Sequence, residues 1–224
     1  MQKVISFLGD SITEGVGTSS FGTKEAAARY DTLCAKVLGM KAYNYGISGT
    51  RLAYKSVCSD DPRFDLFMSG RIFDVHPDSD IIVVYGGTND YGSGDAPLGS
   101  FGDTKPNTFF GAVEFIVRSA KKYFPKAKLV FLAPARRAGD ERVYCGRKED
   151  KNARVLLEYV DAILKVCEHH GVPAFDCYRN LGIDPNLPED KEKYAPDGLH
   201  FNDEGHRVLA EKLVAFLKNE GLAD

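Results

Sequence analysis

Short runs of β-branched and aromatic residues alternate along this chain with segments of helical periodicity, and this alternation constrains the fold more than any other feature. The runs that begin at residues 81 and 129 are continuously apolar, as expected for central strands that are covered on both faces. The alternation predicts an α/β fold with a parallel sheet, in a single domain over residues 1–224. The five predicted strands are VISFL (4–8), AYNYG (42–46), IIVVYGG (81–87), KLVFLAP (128–134) and VPAFD (172–176).

Helical periodicity fills the intervals between these strands. In the segment 152–169, apolar side chains recur at helical spacing and share one face. Asn202 stands just before the last periodic segment and is predicted to be its N-cap. The predicted helices cover residues 24–38, 64–73, 108–123, 152–169 and 203–218.

Two stretches interrupt the alternation. Residues 91–106 are rich in Gly, Pro and Ser and are too long for an ordinary connection, so we expect a functional or mobile segment. Residues 135–150 carry four arginines, Arg136, Arg137, Arg142 and Arg147, which we interpret as belonging to a solvated charged loop. Both stretches follow the carboxyl ends of predicted strands, where open parallel sheets bind ligands.

Charge and composition exclude several classes of function. The 29 Lys and Arg against 32 Asp and Glu give a net charge of -3, which provides no long-range field to attract nucleic acid or an anionic membrane. The five cysteines include no Cys-x-x-Cys pair, and no His, Cys and Asp cluster has ligand spacing, so we expect reduced thiols, no metal and no cofactor.

The sequence offers no targeting or membrane signal that we recognise. The start MQKVISFLGDS lacks a long apolar region and a small-residue cleavage site. No segment approaches the ~18 continuous apolar residues of a membrane span. We therefore expect a soluble cytoplasmic protein, although the mature form of a secreted protein fits the same pattern.

Polar and glycine-rich motifs follow the predicted strands. Because the carboxyl ends of parallel strands meet at one edge of a sheet, these motifs are expected to converge although they are far apart in sequence. The motifs are Gly9-Asp10-Ser11, Asn44-Tyr45-Gly46-Ile47-Ser48-Gly49, Gly86-Gly87-Thr88-Asn89-Asp90 and, before the last helix, Asp197-Gly198-Leu199-His200.

Together these motifs contain the groups that acyl transfer requires. Ser11 offers a hydroxyl, His200 a base and Asp197 a carboxylate to orient that base. Gly49 allows a backbone N–H to approach a substrate, and Asn89 offers an amide donor for an oxyanion.

Each motif taken alone also has a structural explanation. Ser11-Ile12-Thr13-Glu14 fits a capping box, in which Ser11 is only a helix cap. Asn89-Asp90 and Asp197-Gly198 are ordinary turn dipeptides, and Gly49 is also compatible with a simple turn. Their joint occurrence, in this order and each at a strand end or just before a helix, is harder to explain by turn chemistry.

The chain resembles the SGNH hydrolases, the group that contains the GDSL esterases and lipases, in four blocks: GDSITEG, NYGISG, GGTND and DGLH. The resemblance spans nearly the whole chain, with Ile12 in place of the leucine of the name motif. It implies a flavodoxin-like three-layer α/β/α sandwich with a five-stranded parallel sheet.

The same resemblance implies residue roles and a reaction. Ser11 is the implied nucleophile, His200 the general base and then acid, and Asp197 the residue that orients His200. The implied oxyanion hole comprises the backbone N–H groups of Ser11 and Gly49 and the side chain of Asn89. The implied reaction is hydrolysis of a small-molecule carboxylic ester through an acyl-enzyme, whereas Asp10 is implied to be structural.

The substrate is less constrained by the sequence. We favour short acyl esters, acetyl groups in particular and on a carbohydrate, over the longer chains of a lysophospholipase or thioesterase. A non-catalytic carbohydrate- or acyl-binding module is the alternative from another class. An α/β-hydrolase is disfavoured because no Gly-x-Ser-x-Gly occurs. The chain has no Trp, so Tyr85, Tyr91 and Tyr144 are the candidates for stacking on a substrate.

Overall fold

A computed structural model of the protein describes residues 2–23, 26–142 and 154–223. Each of the five predicted strands is present within two residues of its expected bounds, and the last is shorter at its start. The strands are Val4–Gly9 (β1), Lys41–Gly46 (β2), Ile81–Tyr85 (β3), Lys128–Ala133 (β4) and Ala174–Asp176 (β5).

The strands form one sheet in the order β2-β1-β3-β4-β5, and every neighbouring pair is parallel. This is the flavodoxin-like order of a doubly wound sheet. In the sheet register Gly9 of β1 is opposite both Gly46 of β2 and Tyr85 of β3. The carboxyl ends of these three strands therefore lie level with one another, and the loops that follow them begin at one edge.

Helices surround this sheet and connect its strands. None of the described helices is long and apolar enough to cross a membrane. In chain order they are Ser11–Glu14 (α1), Tyr30–Leu38 (α2), Met68–Arg71 (α3), Thr88–Ser93 (α4), Phe109–Tyr123 (α5), Leu156–His170 (α6), Cys177–Asn180 (α7), Pro188–Tyr194 (α8) and Asp203–Asn219 (α9).

The apolar core is divided by the sheet into two layers. Successive side chains of a strand point to opposite faces, so Ile82 and Val84 of β3 join the layer under α5 and α6. Ile81 and Val83 join the layer under α2 and α9. The continuously apolar sequence of β3 thus reflects burial on both faces, and the predicted three-layer sandwich is confirmed.

Three helix predictions need correction at their boundaries. Helix α2 begins at Tyr30 rather than near residue 24, because Arg29 is extended and the Ala28 N–H donates to Ser20 Oγ. The segment 64–73 is not one helix: α3 is flanked by 3₁₀ turns at Pro62–Asp65 and Ile72–Asp74. Helix α6 begins at Leu156 because Val155 is extended.

Candidate active site

Ser11 is the first residue of α1, and Asp10 caps that helix. The Asp10 side chain accepts a hydrogen bond from the Ile12 N–H at 3.0 Å, while the Glu14 N–H donates to the Asp10 carbonyl at 2.9 Å. The capping-box interpretation of Ser11 is therefore wrong by one residue. Because Asp10 supplies the cap, the Ser11 hydroxyl is available for another partner.

That partner is His200. The Ser11 Oγ lies 2.9 Å from His200 Nε2, and His200 Nδ1 lies 2.6 Å from Asp197 Oδ2. A carboxylate accepts only, so Nδ1 carries the proton in the neutral ring and Nε2 is left to accept from the serine hydroxyl. The three side chains form one hydrogen-bonded chain, although Ser11 and His200 are 189 positions apart.

The loop before α9 holds Asp197 in place and keeps it charged. Its Oδ1 accepts from the Leu199 N–H at 2.8 Å and from the His200 N–H at 2.7 Å. Burial acts to raise the pKa of Asp197, but the hydrogen bonds from the His200 side chain and from these two backbone groups outweigh it and lower the pKa. A negative charge thus faces the imidazole of His200 at neutral pH.

Asn89 is hydrogen-bonded to the residue that follows Gly49. Gly49 has φ of +77°, in the left-handed region that favours glycine. Asn89, the second residue of α4, donates from Nδ2 to the Thr50 carbonyl at 3.0 Å. One N–H of the Asn89 amide is therefore committed to the residue after Gly49, and its second N–H remains to donate elsewhere.

Sequence reasoning missed the role of Asn44, which joins the second block to the first. Its Nδ2 donates to the Thr13 carbonyl at 2.6 Å, and its Oδ1 accepts from the Gly46 N–H at 2.8 Å. A Cβ on Gly46 would lie 2.2 Å from the Glu14 nitrogen, so only glycine allows β2 to end this close to α1. Nothing local in the sequence indicates this contact, because the partners are 31 residues apart.

Asp10, next to Ser11, is buried beside a small cavity. Burial raises the pKa of Asp10 to about 7, against the opposing hydrogen bond from the Ile12 N–H. The adjoining cavity, of about 10 Å³, is bordered by Asp10, Thr88 and Leu199 among others. That volume is close to the size of a single water molecule.

Two of the tyrosines proposed for substrate stacking are placed elsewhere. Tyr85 is 2% exposed and packs edge-on against Tyr30, and Tyr91 is 3% exposed with its hydroxyl donating to the Gly139 and Arg142 carbonyls. Both rings lie in the interior, so the interpretation as exposed stacking residues is wrong. Tyr144 lies outside the described residues.

The interpretation of the 135–150 arginines as solvated is also wrong for two of them. Arg136 Nε lies 3.3 Å from Oδ2 of the buried Asp140, and its guanidinium lies over the Tyr178 ring. Arg137 Nη1 donates to the Thr88 carbonyl and hydroxyl at 3.3 and 3.2 Å. Arg142 is exposed, and Arg147 lies outside the described residues.

The 91–106 stretch is a folded connection that begins inside α4. The Asp95 carboxylate accepts from the Ser56 hydroxyl and from the Ser56 and Val57 N–H groups. The Phe109 N–H donates to the Pro97 carbonyl at 2.9 Å. Over residues 2–23, 26–142 and 154–223, no group of three or more His, Cys, Asp and Glu residues is arranged to hold a metal ion.

Comparisons with known proteins agree with this geometry. The model of the GDSL-like lipase/acylhydrolase family matches residues 7–208. A crystal structure of a protein from Lactobacillus plantarum is 30% identical, covers 97% of each chain and has a TM-score of 0.79.

More distant structures share the fold. The lipase/acylhydrolase from Enterococcus faecalis is 19% identical, with 98% of this chain and 97% of that chain covered and a TM-score of 0.63. Among curated proteins, none matches. The family match spans all four sequence blocks, and the chain therefore belongs to the GDSL-like lipase/acylhydrolase family of ester-hydrolysing enzymes.

Proposed function

We propose that the protein is a serine esterase that forms an acyl-enzyme on Ser11. The observation that carries this proposal is the chain of hydrogen bonds from Ser11 Oγ through the His200 imidazole to the Asp197 carboxylate, at 2.9 and 2.6 Å. In this arrangement the hydroxyl proton has an acceptor, and the acceptor has a negative partner that stabilises its charged form.

The proposed reaction proceeds in two halves. His200 Nε2 takes the proton as Ser11 Oγ attacks the ester carbonyl, and the imidazolium then protonates the leaving alcohol. A water molecule replaces the alcohol, gives a proton to His200 and attacks the acyl carbon. The imidazolium then returns that proton to Ser11 Oγ as the bond from Oγ to the acyl carbon breaks, and the acid product leaves. The Asp197 carboxylate accepts the hydrogen bond from the Nδ1–H group throughout and stays ionised, as its lowered pKa favours.

The negative oxygen of each tetrahedral intermediate is proposed to lie among three donors. These are the N–H groups of Ser11 and Gly49 and the free N–H of the Asn89 amide. The hydrogen bond from Asn89 to the Thr50 carbonyl fixes the plane of this amide before substrate arrives. Such preorganised donors act on charge that develops only in the transition state.

We infer that short acyl groups are preferred, with acetyl on a carbohydrate as the leading substrate class. The cavity bordered by Asp10 and Leu199, of about 10 Å³, is the size of a water molecule and offers no room for a long acyl chain. Longer acyl chains, as in a lysophospholipase or thioesterase, are the alternative.

Organisation and location are inferred from the same features. The single sheet collects strands from residue 4 to residue 176, which supports one domain over residues 1–224. Cys34, Cys58, Cys167 and Cys177 are free thiols, which supports a reducing cytoplasmic environment.

Replacing Ser11 tests the nucleophile directly. Ser11→Ala is expected to abolish hydrolysis of p-nitrophenyl acetate and covalent labelling by an organophosphonate, with little change in the thermal unfolding temperature. Ser119→Ala is the matched control, because Ser119 is also buried but lies on α5. Hydrolysis at the wild-type rate by pure Ser11→Ala protein would contradict the proposal.

A series of p-nitrophenyl esters from acetyl to palmitoyl tests the acyl preference. We expect kcat/KM to fall as the chain lengthens, and acetylated sugars to be hydrolysed. A kcat/KM that rises with chain length would favour the lysophospholipase or thioesterase alternative.

The oxyanion role of Asn89 predicts a specific kinetic loss. Asn89→Ala is expected to lower kcat by a factor of about 10²–10³, the scale for one oxyanion donor, with the protein still folded. The exposed Asn107 supplies the control variant Asn107→Ala. An unchanged kcat would remove Asn89 from this role.

A further inference from the structure

The backbone around Gly49 is held from one side by Glu14. The Glu14 carboxylate accepts from the Ser48 N–H at 2.7 Å and, through the same oxygen, from the Ser48 hydroxyl. Glu14 is the last residue of α1, the helix that Ser11 begins. The residue before Gly49 is therefore tied directly to the short helix that carries Ser11.

Asp90 holds the other side of the same backbone. Its side chain is buried, and its Oδ2 and Oδ1 accept from the Leu52 and Ala53 N–H groups, both at 2.9 Å. Asp90 follows Asn89, which donates to the Thr50 carbonyl. Burial raises the pKa of Asp90 to about 6, against these backbone hydrogen bonds, so its carboxylate is ionised at neutral pH.

Gly49 lies between these two attachments with its N–H unused. Over the described parts of the chain, no protein acceptor is paired with the Gly49 N–H. The turn around it closes through the Thr50 hydroxyl, which donates to the Ile47 carbonyl at 2.8 Å. An N–H that is partly buried, unpaired and fixed by its neighbours on both sides has the properties required of an oxyanion donor.

We propose that Glu14 and Asp90 are positioning residues that hold residues 48–53 so that the Gly49 N–H faces the oxyanion. This inference rests on the proposed function and adds two residues to it. Hydrogen bonds from N–H groups to carboxylates are stronger than bonds to neutral acceptors, so a pair of carboxylates restrains this loop more firmly than turn chemistry alone. A small displacement of a donor is costly, because misplacement by about 1 Å can reduce a rate ~10²-fold.

The test compares Asp90→Asn and Glu14→Gln with Asp95→Asn. An Asn at 90 keeps one acceptor oxygen but turns its NH₂ towards a second N–H, so one of the two bonds is lost. Asp95 is the matched control, since it also accepts from two backbone N–H groups. These belong to Ser56 and Val57, which lie beyond residues 48–53 and farther along the chain from Gly49.

We expect each of the first two variants to lower kcat roughly 10-fold or more at unchanged KM, and Asp95→Asn to stay within about 2-fold. The second-order rate of phosphonate labelling at Ser11 should fall with kcat. Because both carboxylates act through one N–H, the double variant should lose little more than the larger single loss. Ser48→Ala, which removes only the hydroxyl donor, provides a milder third variant if Asp90→Asn does not fold.

Several outcomes would overturn the inference. The first is an unchanged kcat in both single variants, and the second is a change confined to KM. The third is a double variant whose loss of kcat equals the product of the two single losses, because independent effects would combine in that way. If wild-type activity disappears in Ser11→Ala but Asp90→Asn and Glu14→Gln behave like Asp95→Asn, the inference fails while the proposed function stands. An inactive wild type would overturn both.

Discussion

His206 is a buried residue whose ionisation opposes folding. Its Nδ1 accepts from the Tyr30 N–H at 3.2 Å, and its ring stacks on the Tyr30 ring. Nε2 is buried without a hydrogen-bond partner among the described residues. Burial lowers the pKa of His206 to about 4, so the folded protein holds this imidazole neutral.

The free energy of unfolding should therefore carry an acid-sensitive contribution from His206. In the unfolded chain the histidine takes up a proton near pH 6.5, whereas the folded protein resists it until about pH 4. Stability from this source is complete above pH 6.5 and is lost as the pH falls towards 4, by roughly 3 kcal/mol. His206→Gln should be less stable than the wild type at pH 7, but its free energy of unfolding should fall less on acidification. Urea unfolding at a series of pH values measures both.

The matched control is His169→Gln, because His169 is exposed on α6. The slope of stability against pH in this control should equal that of the wild type. An equal slope in His206→Gln as well would show that His206 does not titrate as its burial requires.

Helix α9 begins three residues after His200, and its cap links the site to the helix layer. The Asn202 side chain accepts from the Gly205 N–H at 3.1 Å and donates to the Lys193 carbonyl in α8 at 2.8 Å. The predicted N-cap is confirmed, and it makes one bond that its sequence context does not indicate. The cap thus fixes both the start of α9 and the position of α8.

Removing this cap should destabilise the protein moderately. Asn202→Ala is expected to lower the free energy of unfolding by about 1 kcal/mol, because one buried helix N–H loses its acceptor. Asn202→Asp should recover most of that loss, since Asp also caps, without the bond to Lys193. Chemical denaturation measures both, and equal stabilities of Asn202→Ala and the wild type would contradict the role.

Across the whole molecule, Asp140 joins two segments that the sequence gives no reason to associate. It is fully buried; Arg136 Nε lies 3.3 Å from its Oδ2, and the Asn186 amide donates to its Oδ1 at 3.1 Å. Asn186 also accepts from the Gly139 N–H at 2.8 Å. The loop after β4 is thereby attached to the segment before α8.

Breaking this network should cost more than breaking an exposed ion pair. Asp140→Ala removes the buried carboxylate that Arg136 and the Asn186 amide contact, and it is expected to lower the free energy of unfolding by about 2 kcal/mol, because Arg136 keeps Glu141 and Asp184 as partners. Asp161→Ala removes the exposed pair with Arg179 and should cost at most about 1 kcal/mol. Urea unfolding compares the two, and similar losses would contradict the assignment.

The sequence by itself determined the strands and the order of the four blocks. The alternation that predicts β3 and β4 is local, since it records burial of each strand on both faces, and parallel strands bring their carboxyl ends together. For this reason the meeting of the first three blocks at one edge was predictable from their places in the chain. The block with Asp197 and His200 lies before the last helix, and its place beside Ser11 was implied only by the family resemblance.

Only the tertiary structure decided which side chains support these groups. Glu14 fitted a local capping box but instead binds Ser48, and Tyr85 and Tyr91 are buried rather than available to substrate. Asp90 belongs to a dipeptide that is typical of turns, but its carboxylate accepts from the backbone N–H groups of Leu52 and Ala53. Polar side chains of this kind bind groups that the fold brings close to them. In the pairs of Glu14 with Ser48 and of Asp90 with Leu52 and Ala53, the partners are 34 or more residues apart along the chain. Local pattern therefore predicts the backbone, while long-range hydrogen bonding places the groups around Ser11.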